Sequence, residues 1–184
     1  MLTVNSRVLR GDRRVWVYRP PPSAGPGPFP ILLCLDGQNC FHWGRAPDSM
    51  PTSWGLDVIA DRLIRERKMA PIIIAAVANS RRRAPEYTPW KDPHIRLGGE
   101  ARKTYTALRD DFVPAVAAQF PVKYDVATAG ILGSSLGGLF SFWAVLQEPP
   151  AFMRAAVVSP AFFWGQEDGH RFLQTRRPAQ GLRI

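Results

Sequence analysis

The stretch Ile131-Leu132-Gly133-Ser134-Ser135-Leu136-Gly137-Gly138-Leu139 constrains this chain more than any other. Gly133, Ser135 and Gly137 have the spacing of a nucleophile elbow, a sharp turn between a strand and a helix. A serine hydroxyl is a weak nucleophile at neutral pH and must be held exposed beside activating groups. The strained backbone of such a turn predicts no room for a Cβ at 133 or at 137. It also aims the backbone N–H of the following residue, Leu136, at the place where an oxyanion forms. Ser134 is a neighbouring hydroxyl, but the glycine spacing selects Ser135. The setting agrees: Ala127–Leu132 is a small apolar run that predicts a strand, and Leu139–Gln147 predicts the helix after it. A glycine-rich strand-to-helix turn without chemistry has the same local pattern, so the motif alone leaves that alternative open.

The rest of the chain supplies a context for such a turn. Ser6–Arg10 and Arg14–Arg19 are β-prone runs around Gly11-Asp12-Arg13, which predicts an antiparallel hairpin. Pro20–Pro30 is too proline-rich for regular structure. Ile31–Leu35 and Pro71–Val77 are continuous apolar runs, the pattern of strands buried on both faces, and Ala155–Val158 predicts a fourth. Between them, Ser53–Lys68 carries Leu56, Ile59, Ala60, Leu63 and Ile64 at helical spacing. Asn79–Gly99 predicts a long polar loop. Glu100–Phe120 predicts a long helix with a kink near Pro114. Buried strands alternating with helices predict a mostly parallel α/β sheet with helices on both faces. The 184 residues suffice for one domain spanning 1–184.

The net charge of +9 raises the question of nucleic acid. Its arginines are scattered (Arg13-Arg14, Arg65, Arg67, Arg81–Arg83, Arg176-Arg177), with no basic stripe interleaved with aromatics, so no nucleic-acid partner is expected. Cys34 and Cys40 match no metal-ligand spacing, and free thiols in a reducing compartment are expected. The first residues lack an apolar signal core, and the longest apolar run, Ala70–Ala78, is too short to span a bilayer. The expectation is a cytoplasmic protein without membrane, metal or cofactor.

Four segments carry a resemblance: Leu35-Asp36-Gly37-Gln38, Arg83-Ala84-Pro85-Glu86-Tyr87-Thr88-Pro89, Gly133–Gly138, and Ser159-Pro160-Ala161-Phe162-Phe163-Trp164. In this order and at these distances the chain resembles the enterochelin-esterase and esterase D superfamily of α/β-hydrolases. The resemblance implies a serine hydrolase that forms an acyl-enzyme from a small-molecule ester, with Ser135 as nucleophile. It implies an oxyanion hole from the amides of Gln38 and Leu136. Gln38 falls just past a strand's carboxyl end, where open parallel sheets bind ligands. The resemblance also implies that Phe163 and Trp164 wall an acyl or leaving-group pocket. An ordinary core aromatic cluster accounts for the same residues.

The chain departs from the family where the triad should close. In α/β-hydrolases the order is serine, acid, histidine. His42 and His94 precede Ser135. His170 follows it, but within a predicted helix over Gln166–Arg176, so it is a poor candidate base, and Glu167 and Asp168 read as solvated helix-start residues. Gly181–Ile184 reads as the opening of a further strand. The expectation is therefore a serine ester hydrolase truncated before its C-terminal strands, with a catalytically impaired or dead homologue that keeps its pocket as the alternative, and with self-association through an uncovered sheet edge.

Overall fold

Side chains alternate between two cores along the central strands, as the two-residue period of a pleated strand requires. The structure, a computed structural model, describes residues 1–42, 53–176 and 178–184. Its strands are β1 (Leu2–Ser6), β2 (Gly11–Tyr18), β3 (Ile31–Cys34), β4 (Ile73–Val77), β5 (Gly130–Ser134) and β6 (Arg154–Val158). Its helices are α1 (Leu56–Arg65), α2 (Arg83–Tyr87), α3 (Ala101–Ala107), α4 (Val113–Ala117), α5 (Leu136–Ala144) and α6 (Gln166–Thr175). The strands form one sheet in the order β1-β2-β4-β3-β5-β6. The pairs β1–β2 and β2–β4 are antiparallel, and β4–β3, β3–β5 and β5–β6 are parallel.

Val15 and Val17, Ile31 and Leu33, and Ile73, Ala75 and Val77 point into one core with Tyr105, Phe112, Phe140 and Trp143 of the helices. The intervening Trp16 and Tyr18, Cys34, and Ile74 and Ala76 point into the other, against Ala60 and Ile64 of α1. Burial on both faces explains why β3 and β4 read as unbroken apolar runs.

Local differences from the sequence pattern have identifiable causes. The hairpin turn lies at Arg7–Arg10 instead of Gly11–Arg13. The Ser6 hydroxyl donates to Asp111 Oδ2 (2.6 Å) and accepts from the Leu9 N–H, while the Val8 N–H also donates to Asp111. An anchor more than 100 residues away is thus what sets the turn. Within Asn79–Gly99 the short helix α2 forms. α3 runs through a π-helical stretch, Leu108–Phe112, into α4. Pro114 is the second residue of α4, and its ring crowds the carbonyl of residue 110 within that stretch, so the expected kink takes the form of a locally widened helix. The fourth parallel strand is the clearest correction. β6 is half-exposed rather than buried, with Val158 47% exposed, because it is an edge strand. Among the described residues Arg183 alone bridges to its outer side, through Ala155 N–H to Arg183 O and Arg183 N–H to Met153 O, which starts the parallel pairing expected of Gly181–Ile184.

The topology places a crevice. From β3 the chain crosses by α1, on one face, to β4; from β5 it enters α5, on the opposite face. Because β3 and β5 are neighbours, the loops leaving their carboxyl ends diverge, and ligands in open α/β sheets bind in such a gap. Among the described residues, no helix is long and apolar enough to cross a membrane.

Candidate active site

The segment after β5 has the backbone of a strained elbow. Ser135 sits at φ 58, ψ −119, a region non-glycine residues rarely occupy, and α5 starts at the next residue, three residues earlier than Leu139. The turn is pinned on both sides. The Ser135 N–H donates to Val158 O of β6 (3.0 Å), and its carbonyl accepts from the N–H groups of Leu139 and Ala161 (both 3.0 Å). The side chain is exposed, and among the described residues no hydrogen bond engages its hydroxyl.

The glycines divide differently from the motif. A Cβ on Gly133 would lie 2.3 Å from Gly137 O, which no adjustment relieves. A Cβ on Gly137 would meet Asp36 Oδ2 at 3.4 Å and Leu35 Cβ at 3.5 Å, close to ordinary contact. The second position without room is Gly138, where a Cβ would lie 2.8 Å from Val158 O. The crowding therefore comes from the loop after β6 as well as from the elbow itself.

Next to the elbow, the segment after β3 turns in a single 3₁₀ step, Gly37–Asn39. Asp36 enters it in the left-handed region (φ 54, ψ 46), and a Cβ on Gly37 would lie 2.3 Å from Ala76 O of β4. Parallel register carries this turn beside the elbow: Cys34 pairs with Leu132, and the Leu35 N–H donates to Leu132 O (2.9 Å). Among the described residues no hydrogen bond uses the N–H of Gln38 or of Leu136. Two unused amides at neighbouring strand ends, beside an exposed serine, are the parts needed to stabilise an oxyanion.

Behind these amides lies a charge pair to which the sequence reading gave no role. Asp36 is 3% exposed. Arg83 of α2 grips it with both arms, Nε to Oδ1 at 2.7 Å and an Nη to Oδ2 at 2.8 Å. Asn79 Nδ2 donates to Oδ1 (2.7 Å), and the Asp36 N–H donates to the Tyr87 hydroxyl (3.1 Å). The same arm of Arg83 reaches Ser134 O at 3.4 Å, and its guanidinium lies 5.3 Å from the centre of the Tyr87 ring. The hydrogen bond to Asp36 raises the Arg83 pKa, which keeps the guanidinium charged. Burial holds the Tyr87 phenol well above its ordinary value, with the nearby Asp36 charge adding to the effect, so it stays protonated. The signal in the sequence was an aspartate at the end of an apolar strand, since a buried carboxylate requires a partner.

Cys34 and Cys40 are buried free thiols beneath the turn. Cys40 donates to Leu35 O and Asp36 O, and its hydrogen bond with Cys34, reinforced by burial, raises its pKa well above the ordinary thiol value.

A cavity of about 700 Å³ adjoins the elbow. Its walls are Leu139 and Phe142 of α5, Phe162, Phe163 and Trp164, and residues of α6 that include His170. Phe163 is 69% exposed, whereas Trp164 is buried and donates through Nε1 to Trp90 O (3.0 Å). Ser135 does not line the cavity, but of the two residues whose N–H groups donate to its carbonyl, Leu139 does, and Ala161 directly precedes the wall residues Phe162–Trp164. His42, His94 and His170 are all exposed, and among the described residues none bonds through its ring to Ser135. Among the described residues, no group of three or more histidine, cysteine, aspartate or glutamate side chains could hold a metal ion.

The model of the Putative esterase family matches residues 6–182. The chain is 24% identical over 160 residues to the uncharacterized protein YbbA of Bacillus subtilis (strain 168), covering 84% of this chain and 59% of that one. It is 26% identical over 164 residues to the siderophore triacetylfusarinine C esterase of Aspergillus fumigatus, covering 83% and 52%. Among solved structures, the BES protein from Bacillus cereus superposes with a TM-score of 0.73 at 20% identity, over 94% of this chain and 65% of that one. The chain thus spans a little over half the length of the curated relatives it matches.

Proposed function

This chain belongs to the Putative esterase family, and from that premise we propose that it is a serine-dependent carboxylic ester hydrolase with Ser135 as nucleophile. The observation that carries the reading is the conformation of Ser135, strained and exposed, with the N–H of the next residue, Leu136, and that of Gln38 on the neighbouring turn both unused among the described residues. In the proposed reaction the Ser135 oxygen bonds to the ester carbonyl carbon, and the two amides hold the resulting oxyanion. The carbon–alkoxy bond then breaks, the alkoxy group leaving as the alcohol with the proton the serine hydroxyl gave up, and water cleaves the acyl-enzyme to the acid, returning a proton to Ser135. Leu139, Phe142 and Phe162–Trp164 give the adjoining cavity an apolar wall suited to a bulky acyl or alcohol group. A relative that acts on a siderophore ester makes that class a first substrate to try.

The unengaged Ser135 hydroxyl favours a second reading, in which this chain keeps the pocket and the oxyanion hole but turns over slowly. Loss of the general base costs about 10⁶-fold in a triad protease and leaves about 10³–10⁴ over water. A chromogenic ester assay with Ser135→Ala and His170→Ala tests both. Slow turnover that Ser135→Ala abolishes and His170→Ala leaves unchanged fits the second reading. Ordinary esterase rates lost in both variants make His170 the base. Turnover unaffected by Ser135→Ala overturns the proposal.

Two partner proposals stand beside it. The half-exposed edge of β6 supports self-association, read by size-exclusion chromatography over a concentration series. Arginines committed to ion pairs, among them Arg13, Arg65, Arg83 and Arg109, support an absence of specific nucleic-acid affinity. Retention on heparin with a steep salt slope would contradict that.

A further inference from the structure

We infer that Asp36 and Arg83 form the positioning pair that sets the two halves of the oxyanion hole relative to each other. The inference rests on the esterase reading above and assigns roles to residues that do not themselves touch the substrate.

Geometry isolates Asp36 as the hinge. Its own backbone makes the left-handed step that turns β3 into Gly37-Gln38, so its conformation sets where the Gln38 N–H points. That step is strained for a non-glycine residue and persists only if its surroundings impose it. Three contacts do so: Tyr87 accepts the Asp36 N–H, Asn79 donates to one carboxylate oxygen, and Arg83 fixes the plane of the carboxylate with both arms. Both sides of the pair also face the elbow. Arg83 reaches Ser134 O, the carbonyl immediately before the nucleophile, and Asp36 Oδ2 lies 3.4 Å from where a Cβ on Gly137 would stand. One ion pair therefore contacts the turn bearing Gln38 and the turn bearing Leu136.

Electrostatics gives the arginine a second duty. A buried carboxylate beside an oxyanion hole opposes the charge that the hole must hold, because attraction and repulsion are both magnified where water is excluded. The bidentate Arg83 cancels that charge at its source. A carboxylate without the arginine would be worse for catalysis than no carboxylate, and this separates a positioning and neutralising role from simple packing.

The test compares the full chain with Arg83→Met, Arg83→Lys, Asp36→Asn and the double variant Asp36→Asn/Arg83→Met. Two readouts are used. The first is the second-order rate constant for phosphonylation of Ser135 by a fluorophosphonate, with Ser135→Ala as the blank. The second is hydrogen exchange at the Asp36 and Asn39 amides, both hydrogen-bonded in this turn, against Ala75 in β4 as a control. We expect Arg83→Met to slow labelling about 100-fold, the scale of losing one oxyanion donor. We expect Arg83→Lys, which keeps the charge but not the fork, to lose about 10-fold. The double variant should recover to within about 10-fold of the parent, because removing the charge on Asp36 removes what Arg83 had to cancel. Exchange at Asp36 and Asn39 should accelerate in Arg83→Met while Ala75 is unchanged. A double variant no faster than Arg83→Met, or unaltered exchange in the turn, overturns the inference. If the parent does not label at Ser135, the esterase reading fails, and the exchange experiment alone decides the positioning role. Should Arg83→Met fail to fold, Arg83→Lys and Asp36→Asn carry the same two readouts, and parental labelling and exchange in both overturns it.

Discussion

Two neighbouring turns each present an unused amide, one after β5 and one after β3, and they are built in opposite ways. The elbow is held mainly by backbone. Gly133 packs against Gly137 O, four residues on, and the Ser135 N–H and carbonyl bond to the backbone of Val158, Leu139 and Ala161. The Asp36–Gln38 turn is held from elsewhere. Gly37 packs against Ala76 O of β4, and side chains from Asn79, Arg83 and Tyr87 fix Asp36. Steric closure within a turn tolerates almost no substitution but depends on few distant residues. A turn braced by a neighbouring strand and by side chains fails in addition when a remote charge is lost.

That contrast ranks the substitutions. Gly133→Ala and Gly37→Ala should have the largest effects, since each drives a Cβ to 2.3 Å of a carbonyl oxygen. Each should cost about 3 kcal/mol, the upper range for overpacking, lowering Tm by roughly 6–12 °C in a chain of this size. Labelling of Ser135 should disappear in Gly133→Ala. Equal tolerance of both by differential scanning calorimetry would remove the steric half of the comparison.

Arg83→Met follows. Breaking a buried pair costs about 3–5 kcal/mol, and the 30% exposure of the Arg83 side chain reduces this to about 2 kcal/mol. Urea denaturation should place Asp36→Asn/Arg83→Met closer to the parent than Arg83→Met. A double variant less stable than Arg83→Met would show that the pair's value is contact area rather than charge balance.

Tyr87→Phe should cost about 1 kcal/mol at neutral pH, because it leaves the buried Asp36 N–H without an acceptor. It should also alter the alkaline limb. Burial raises the folded Tyr87 pKa, whereas an unfolded tyrosine titrates near about 10. Its contribution is therefore complete below about pH 10 and declines as pH rises towards the folded value, where only the unfolded chain has lost the proton. Tyr18, pushed up to about 12 by burial and by Asp61, shares that slope. Stability measured from pH 7 to 11 should thus fall less steeply in Tyr87→Phe, though not become flat.

The smallest effect is expected where the motif suggests a large one. Gly137→Ala gains helix propensity of up to about 1 kcal/mol, against a closest contact of 3.4 Å. The net change should stay below about 0.5 kcal/mol.

The same contrast decides what could be read without a structure. The buried strands, the elbow and the antiparallel start were visible because each is a local pattern, a period of residues or a glycine spacing. The Asp36–Arg83 pair joins positions 47 apart, and the Ser6–Asp111 anchor positions 105 apart, so no window along the chain contains either. The burial of β6 was misread for a related reason. An apolar four-residue run shows β-propensity but not whether a further strand or helix covers it. Gly138 escaped notice because its neighbour, Val158 O, comes from the next strand. His170, Phe163 and Trp164 were placed in their elements by the sequence, but the cavity they share could be described only once α6 lay beside α5.

The central claim is that the Gln38 and Leu136 amides converge on an oxygen carried by a group on Ser135. A crystal structure of the chain phosphonylated with a fluorophosphonate addresses it directly. The account predicts an adduct on Ser135 Oγ with its phosphoryl oxygen about 2.7–3.1 Å from both the Gln38 and Leu136 nitrogens. An adduct on Ser134, or a Ser135 adduct whose phosphoryl oxygen turns to solvent away from both amides, would contradict it.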